Sequence, residues 1–534
     1  MSRVLTNSTS LRVTRETSVG VLPGTPQWAV VEFDNITSYG ATITTVVRRP
    51  VSLTRGRRKG TVVSIESGVE YGTDLTLDAF LLFAEGFMFA EFANAEFNLR
   101  SGTGTVPPPA VDGGVGNDSF TIDAASALLA GKIQFTTAEL ATLVYARGYS
   151  NSANNGLHVI VADTAGTGTA IAVATATLVA ETPPTSATLE VCGIRVLNDA
   201  DLSLTVTGST ATLVSAASIT NWGTLGIRKG MWIHIGSAVN ATGALQNALG
   251  AGGLVSYGWA RVTATPTGAT LNLDKLSPTL STASGPAGGS QDVMFGRFAR
   301  NVSVTADADD ERYLEQSFQF EVTYPDLGGV GVDEYEYAVG NFANEIALDL
   351  PLEDKATVTF GFIGTNSDPI TASRKTGAST AKSPLRTTAF NTATDIVSIT
   401  TDVVSAAADI CFKSLTLTWL NNVSPEVCLG TLGATFVNAG LFEFNLEGQM
   451  LFTNKAIVNA IRNNTTVTMA IILRNDNGAV AIDVPEMTLG GGGREFPVDQ
   501  SVLVNITGSS FTSNSYGYDA SMSFLACVPG VVAG

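Results

Sequence analysis

The sequence predicts a mainly β protein with only a few helices. Three observations carry that prediction. Thr, Val, Ala, Gly, Asn and Ser dominate the composition, which favours short strands joined by turns. Long Leu/Lys/Glu stretches of helical character are nearly absent. Several runs alternate apolar and polar residues with the period of two expected of a half-buried strand.

Taken in chain order, the first strand candidates are Trp28–Phe33 and Thr42–Val47. In Thr61–Tyr71, the apolar Val63, Ile65, Val69 and Tyr71 alternate with Ser64, Glu66 and Glu70. A helix is expected from about Asp74 to Phe92, because Leu77, Leu81, Ala84 and Met88 share one face and Phe80, Phe83 and Phe87 widen it. Gly86 in its middle costs roughly 1 kcal/mol against alanine. The turn-rich Ser101–Pro109 reads as a linker. Two stretches of similar make-up follow, Tyr145–Val173 and Gly230–Leu273, and suggest a duplicated small β-barrel or sandwich module inserted as a unit. From about 297 the character of the first hundred residues returns in Ser317–Val322, Gly340–Leu350 and Ala356–Gly364, and a polar stretch up to Ala389 is expected to be a mobile loop. Ser414–Trp419 and Leu441–Gly448 are the last clear strands, and a short helix should follow with Thr453 as N-cap and Ala456, Ile457, Ala460 and Ile461 on one face. Ile65-Glu66-Ser67-Gly68 before the first helix parallels Leu446-Glu447-Gly448 before the second, a sign of two copies of one fold interrupted by an insertion.

At 534 residues the chain is long enough for two to four domains. Mean hydropathy is +0.22 with 15% charged residues, yet no run of eighteen apolar residues offers a membrane span. Met1-Ser2-Arg3-Val4 lacks the charged-then-apolar pattern of a secretory signal, and the expectation is a product of a reducing cytoplasm. Cys192, Cys411, Cys428 and Cys527 lack paired spacing and are expected as free thiols in sheet cores.

Net charge is −18, unevenly spread. Residues 1–60 hold Arg3, Arg12, Arg15, Arg48, Arg49, Arg55, Arg57, Arg58 and Lys59 against Glu16, Glu32 and Asp34. The acidic balance argues against tight wrapping of nucleic acid, which needs cations to neutralise phosphates. The run Arg55–Lys59 lacks the glycine spacing of a phosphate loop and the interleaved aromatics of a nucleic-acid patch. It fits a loop that docks on an acidic neighbour, against the simpler reading of a solvated loop. Asp307, Asp309, Asp310 and Glu311 lack the glycine and distal glutamate of a calcium loop. His158 and His234 sit in expected strands beside no candidate nucleophile. No catalytic constellation, metal site or cofactor motif is found, so an enzyme is not expected.

Four stretches together resemble the tail tube proteins of long-tailed, siphovirus-type bacteriophages. They are Arg55–Glu66, the aromatic helix Asp78–Gly86, Ser317–Leu350, and Ser414–Phe452 through Gly430-Thr431-Leu432-Gly433. The resemblance is to a family with two tandem tube lobes. It implies β-sandwich or barrel lobes, each with a packed helix, whose sheets join into a ring and whose rings stack into a tube. Residues 1–100 and 297–364 would form the first lobe, 365–534 the second, and 101–296 a pair of small inserted β modules on the tube exterior. Three chains would build a ring of six lobes, with a ring of six chains as the alternative. Glu66, Glu70, Glu443 and Glu447 become candidates for an acidic channel wall, and Phe442, Phe444, Leu446, Val63, Ile65 and Tyr71 face the core. Arg48, Arg49, Arg55, Arg57, Arg58, Lys59, Arg374 and Lys375 become candidates for contacts between subunits or rings. The implied partners are other copies of the chain, a tape measure protein and then DNA in the channel, and tail terminator and distal tail proteins at the ends. The competing function is an extracellular β-rich adhesin or surface-layer protein.

Overall fold

Strand-forming alternation dominates the computed structural model, which describes residues 4–48, 58–93, 98–99, 110–114, 117–122, 140–163, 170–173, 178–184, 186–197, 201–236, 256–284, 291–303, 307–308, 311–402 and 411–528. The protein is mainly β: among the described residues every pairing between strands is antiparallel, and two large sheets of sixteen and fourteen strands carry the fold without closing into a barrel.

The larger sheet begins with β1 (Ser10–Arg15), β2 (Ala29–Val31), β3 (Asn35–Arg48) and β4 (Arg58–Asp74). The smaller sheet holds fourteen strands, β5–β18, between Asn98 and Met294. The chain then returns through β19 (Arg297–Arg300), the small hairpin β20–β21 (Asp307–Ala308, Glu311–Arg312), β22 (Ser317–Gly329), β23 (Val332–Pro351), β24 (Thr357–Gly364) and β25 (Asn366–Thr371). After β26 (Ile396–Thr401) and β27 (Phe412–Leu420) comes an arm made of β28 (Ser424–Glu426) and β29 (Phe436–Asn438). β30 (Glu443–Leu451), β31 (Thr466–Asn475), β32 (Gly478–Glu495), β33 (Leu503–Ser510) and β34 (Ser521–Leu525) complete the larger sheet.

One pairing pattern occurs twice in the larger sheet. β1 pairs with β22, β22 with the first half of β23, and β25 with that same half. The second half of β23 pairs with β24, β24 with β4, and β4 with β3. In the same chain order, β26 pairs with β31, β31 with the first half of β32, and β34 with that half. The second half of β32 pairs with β33, β33 with β30, and β30 with β27. The two sets join where β23 meets β27, from Glu345 opposite Leu420 to Pro351 opposite Ser414.

Helix α1 (Leu77–Met88) lies between the sets. Thr76 caps it, accepting from the Ala79 amide at 3.3 Å, so the helix starts three residues later than its apolar spacing suggests, Asp74 being the last residue of β4. Phe89, in the left-handed region at φ 47°, ends it. Phe83 meets Phe318, Phe320, Phe360 and Phe362 of the first set, while Phe80 meets Trp419 and Phe524 of the second. Both sets therefore share one apolar core. Gly86 is required there, because a Cβ would stand 2.7 Å from the Phe318 ring. The shorter α2 (Lys455–Arg462) is capped by Asn454 rather than Thr453, and buries Ile457 and Ala460.

The residues between 98 and 294 do not sit apart from this core. The two similar stretches share one sheet and one apolar cluster of their own. A second cluster joins them to the larger sheet, where Leu143, Cys192, Trp232, Trp259 and Met294 cover Ala470, Ile472, Ala479, Ala481 and Leu525. Arg147 donates to the carbonyls of Asn477 and Ala526 at 2.8 and 2.6 Å, and Arg261 donates to both oxygens of the fully buried Asp483 at 3.1 Å.

Three expectations are corrected. The polar stretch up to Ala389 is not a loose loop: Arg374 donates to Glu321 at 3.0 Å, Lys375 to Asp368 at 2.6 Å, and Arg386 bridges Asp78 and Glu190 at 2.8 and 3.0 Å. Buried carboxylates need such cations, and the strap supplies them. Val63 is exposed, not inward, because β3 and β4 run beyond the core as a two-stranded arm with a register shift between Ser64 and Val62. Cys411 and Cys428 are exposed, so only Cys192 lies fully in a sheet core. Asp309 and Asp310 lie outside the described residues.

Candidate functional site

Eight strands in the order β3, β4, β24, β23, β27, β30, β33, β32 form a continuous band across both sets. Strand alternation divides its residues between two faces. Val69 and Tyr71, Val358 and Phe360, Ile346 and Leu348, Leu415 and Leu417, Phe444 and Leu446, and Val504 and Ile506 enter the core. Phe442, expected with them, is only half-buried at the margin of that core. The residues between them point to the open face.

That face is acidic. Glu66, Glu70 and Asp74 stand on it from β4, Glu345 and Asp349 from β23, Glu443 and Glu447 from β30, and Glu495 from β32. The register arranges them in rows. Glu70, Gly361, Glu345, Leu420 and Glu443 are successive cross-strand neighbours. Two positions along, a row of Gly72, Thr359, Ala347, Thr418, Asn445, Ser509 and Thr488 carries no charge. The next row runs Asp74, Thr357, Asp349, Thr416, Glu447 and Thr507. Carboxylates thus alternate with neutral strands, about 10 Å apart in a row, which limits their mutual repulsion. None of these row positions is Lys or Arg. Hydrogen bonds steady some of the acids: Thr416 donates to Asp349 at 2.7 Å and Asn505 to Glu495 at 2.6 Å.

The four glutamates singled out in the sequence fall on this one face, at matched positions of the two pairing patterns. Glu70 lies opposite Gly361 of β24 as Glu447 lies opposite Thr507 of β33, and Glu66 and Glu443 each precede by four residues. Asp349 and Glu495 form a third matched pair, opposite Thr357 and Leu503. Sequence reasoning missed Asp74, Glu345, Asp349 and Glu495. The signal was present in Glu345-Ile346-Ala347-Leu348-Asp349-Leu350, where every second residue is apolar and buried.

The basic candidates separate. Arg48, Arg58 and Lys59 are exposed at the far end of the β3–β4 arm, with Arg48 directly opposite Arg58. Arg49, Arg55 and Arg57 lie outside the described residues. Arg374 and Lys375 are far from that tip, stacked on Tyr335 and Tyr337 and committed to Glu321 and Asp368.

Little of catalytic character is assembled elsewhere. His158 and His234 meet the carbonyls of Asn154 and Gly236 at 3.3 and 2.9 Å, and burial lowers His234 to about 4, leaving it neutral at physiological pH. Among the described residues no group of three His, Cys, Asp or Glu side chains converges as metal ligands do. Among the described residues no helix is long and apolar enough to cross a membrane.

Comparison with known proteins bears on this arrangement. No curated protein matches the chain. A family model described as phage tail tube protein matches residues 235–510, just over half of the chain and six of the eight strands that build the band, all but β3 and β4. This β-rich chain with its one-sided acidic band therefore belongs to the phage tail tube protein family, structural components of the bacteriophage tail.

Proposed function

We propose that three copies of this chain close their bands into a ring, that rings stack into the tail tube of a long-tailed, siphovirus-type phage, and that the acidic face lines its channel. The observation that carries this reading is the band itself, which among the described residues ends in two unpaired edges, β3 on one side and the last residues of β32 on the other. An exposed edge invites strand addition. The β23–β27 junction is a template for it. Matching the two pairing patterns, Glu495 of one copy stands opposite Ser38 of the next, as Asp349 stands opposite Thr416 within the chain.

Strand count favours three copies. At about 4.8 Å per strand, twenty-four strands give a circumference of about 115 Å and a diameter of about 37 Å, before tilt widens it. Subtracting side-chain layers of about 5 Å leaves a bore of about 27 Å, which admits a nucleic-acid duplex. Six copies would leave a bore of about 63 Å, too wide to guide one.

In this reading each pairing pattern is a tube lobe, with the boundary between β25 and β26, and residues 101–296 sit on the outer wall. Glu66, Glu70 and Asp349, with their partners Glu443, Glu447 and Glu495, make three tiers of six carboxylates around the channel. Fixed negative charge repels phosphates, so DNA passes during ejection through a hydrated bore instead of adhering to it. The chain is made in the host bacterial cytoplasm, assembles around a tape measure protein, and meets terminator and distal tail proteins at its ends.

Two measurements test this. Purified rings should have three times the 55.4 kDa chain mass, and six times would refute the strand count. Tubes carrying Glu66→Lys with Glu443→Lys should hold nucleic acid in a salt-dependent way. Tubes of that variant that stay free of nucleic acid would place these residues off the channel.

A further inference from the structure

Strand direction puts two kinds of feature at opposite ends of the band. At one end stand the tip of the β3–β4 arm and the β28–β29 arm, which leaves β27 after Leu420 and returns to β30 at Glu443. At the other stand the β23–β24 turn, beside Asp74 and Ser414, and the β32–β33 turn, beside Leu451. In a stack, the arms of one ring face the turns of the next.

The chemistry at these ends is matched set by set. The first arm is cationic, with Arg48, Arg58 and Lys59 exposed and with no carboxylate partner among the described residues. Two arginines directly across a ladder repel each other unless an anion lies between them. The first turn is anionic. Glu353 and Asp354 are exposed, and Asp34 and Asp74 flank Lys355. The second arm is apolar: Leu429 is fully exposed, and Val427, Leu432 and Phe436 stand beside it. The second turn is apolar too, with Phe496 75% and Val498 85% exposed.

We infer that stacked copies meet like set on like set, the cationic arm on the anionic turn and the apolar arm on the apolar turn, and that this fixes the rotation between successive rings. The inference rests on the ring reading above. The exchanged rotation would press Arg48, Arg58 and Lys59 onto Phe496 and Val498, and Leu429 and Phe436 onto Glu353 and Asp354. Charges would then lose water without gaining partners, and apolar surface would stay wet. Two mismatches of that kind in every lobe pair separate the registers decisively.

Charge reversal tests it on the full chain. Arg48→Glu with Arg58→Glu should leave rings of normal mass but reduce stacking at least about tenfold, because like charges then face one another. Adding Glu353→Lys with Asp354→Lys should restore tubes. Undiminished stacking, or rescue instead by Phe496→Lys with Val498→Lys, would overturn the register. A second route does not depend on the reversed chain folding. In a Cys411→Ser, Cys428→Ser background, Leu429→Cys with Phe496→Cys should cross-link rings into ladders under oxidation. Ladders formed only by Leu429→Cys with Glu353→Cys would overturn the register. Wild-type chain that gave no rings would defeat the ring reading itself, whereas wild-type tubes insensitive to these changes defeat only the register.

Discussion

The two strand sets pair alike but are covered differently, and their outer faces show why. In the first set, β22 and the first half of β23 present Gln319, Glu321, Thr323 and Tyr337 outward, under a strap that includes Arg374, Lys375 and Ala378, with Trp28 beside it. Glu321 is fully buried and takes hydrogen bonds from Arg12 at 2.9 Å, Arg374 at 3.0 Å and the Tyr337 hydroxyl at 2.8 Å. In the second set, β31 and the first half of β32 present Ala470, Ile472, Ala479 and Ala481 to the large apolar side chains of the inserted sheet. The fully buried Asp483 on that face is met by Arg261. Burial disfavours the Arg261 cation, but Asp483 and Asp274 outweigh it and hold the guanidinium charged. A polar face is clamped by a few cations from a short strap, whereas an apolar face of small residues needs a second core laid over it.

The sharpest way to break this contrast is to remove the cover. Deleting 101–296 should leave the chain insoluble and unable to form rings, because it strips the apolar cluster over β31, β32 and β34 and leaves Asp483 without Arg261. Soluble, ring-forming protein from that deletion would show that the insertion is decoration. Next in size, Arg261→Met should cost about 3–5 kcal/mol in denaturant unfolding, with most of it recovered by adding Asp483→Leu. On the first set, Glu321→Ala should cost about 1.5–3 kcal/mol, less than the Arg261 change because Arg12 and Arg374 are partly exposed and can turn to water.

A pH measurement probes the seam between strap and insertion. Burial alone would raise the Glu190 carboxyl, but Arg386 and Arg297 outweigh it and hold it below the usual carboxylate range. A carboxyl depressed in the folded state contributes stability that is complete above its unfolded value, about 4.3, and is lost as pH falls through the folded value. Melting temperature should therefore drop on acidification below about pH 4.3, and Glu190→Gln should flatten that limb. The smallest effect is expected on the open face. Glu66→Gln with Glu443→Gln should change stability by no more than about 0.5 kcal/mol, since neither residue is held in an ion pair among the described residues.

Much of the band was legible before folding. Phe444 and Leu446 go to the core and Glu443 and Glu447 to the open face, as their alternation requires. The aromatic face of α1 is buried as its spacing requires. What misled was local polarity. Arg374, Lys375 and Arg386 look like loop residues because their partners, Glu321, Asp368, Asp78 and Glu190, are largely distant in sequence. Val63 has the right parity for the core but lies beyond its end, and alternation carries no information about where a core stops.

By itself, the sequence determined the β class, the side of each strand on which a residue lies, and hence that Glu66, Glu70, Glu443 and Glu447 cannot be core residues, because those properties follow from a two-residue period within one strand. Tertiary structure alone decided which strands became neighbours. Glu70, Glu345 and Glu443 share a row only because β4, β24, β23, β27 and β30 pair in that order and register. Asp483 found Arg261, 222 residues away, only because the inserted sheet folds back over β32. Pairings of that range depend on how long loops close and on which apolar faces cover one another, and no short-range pattern records either.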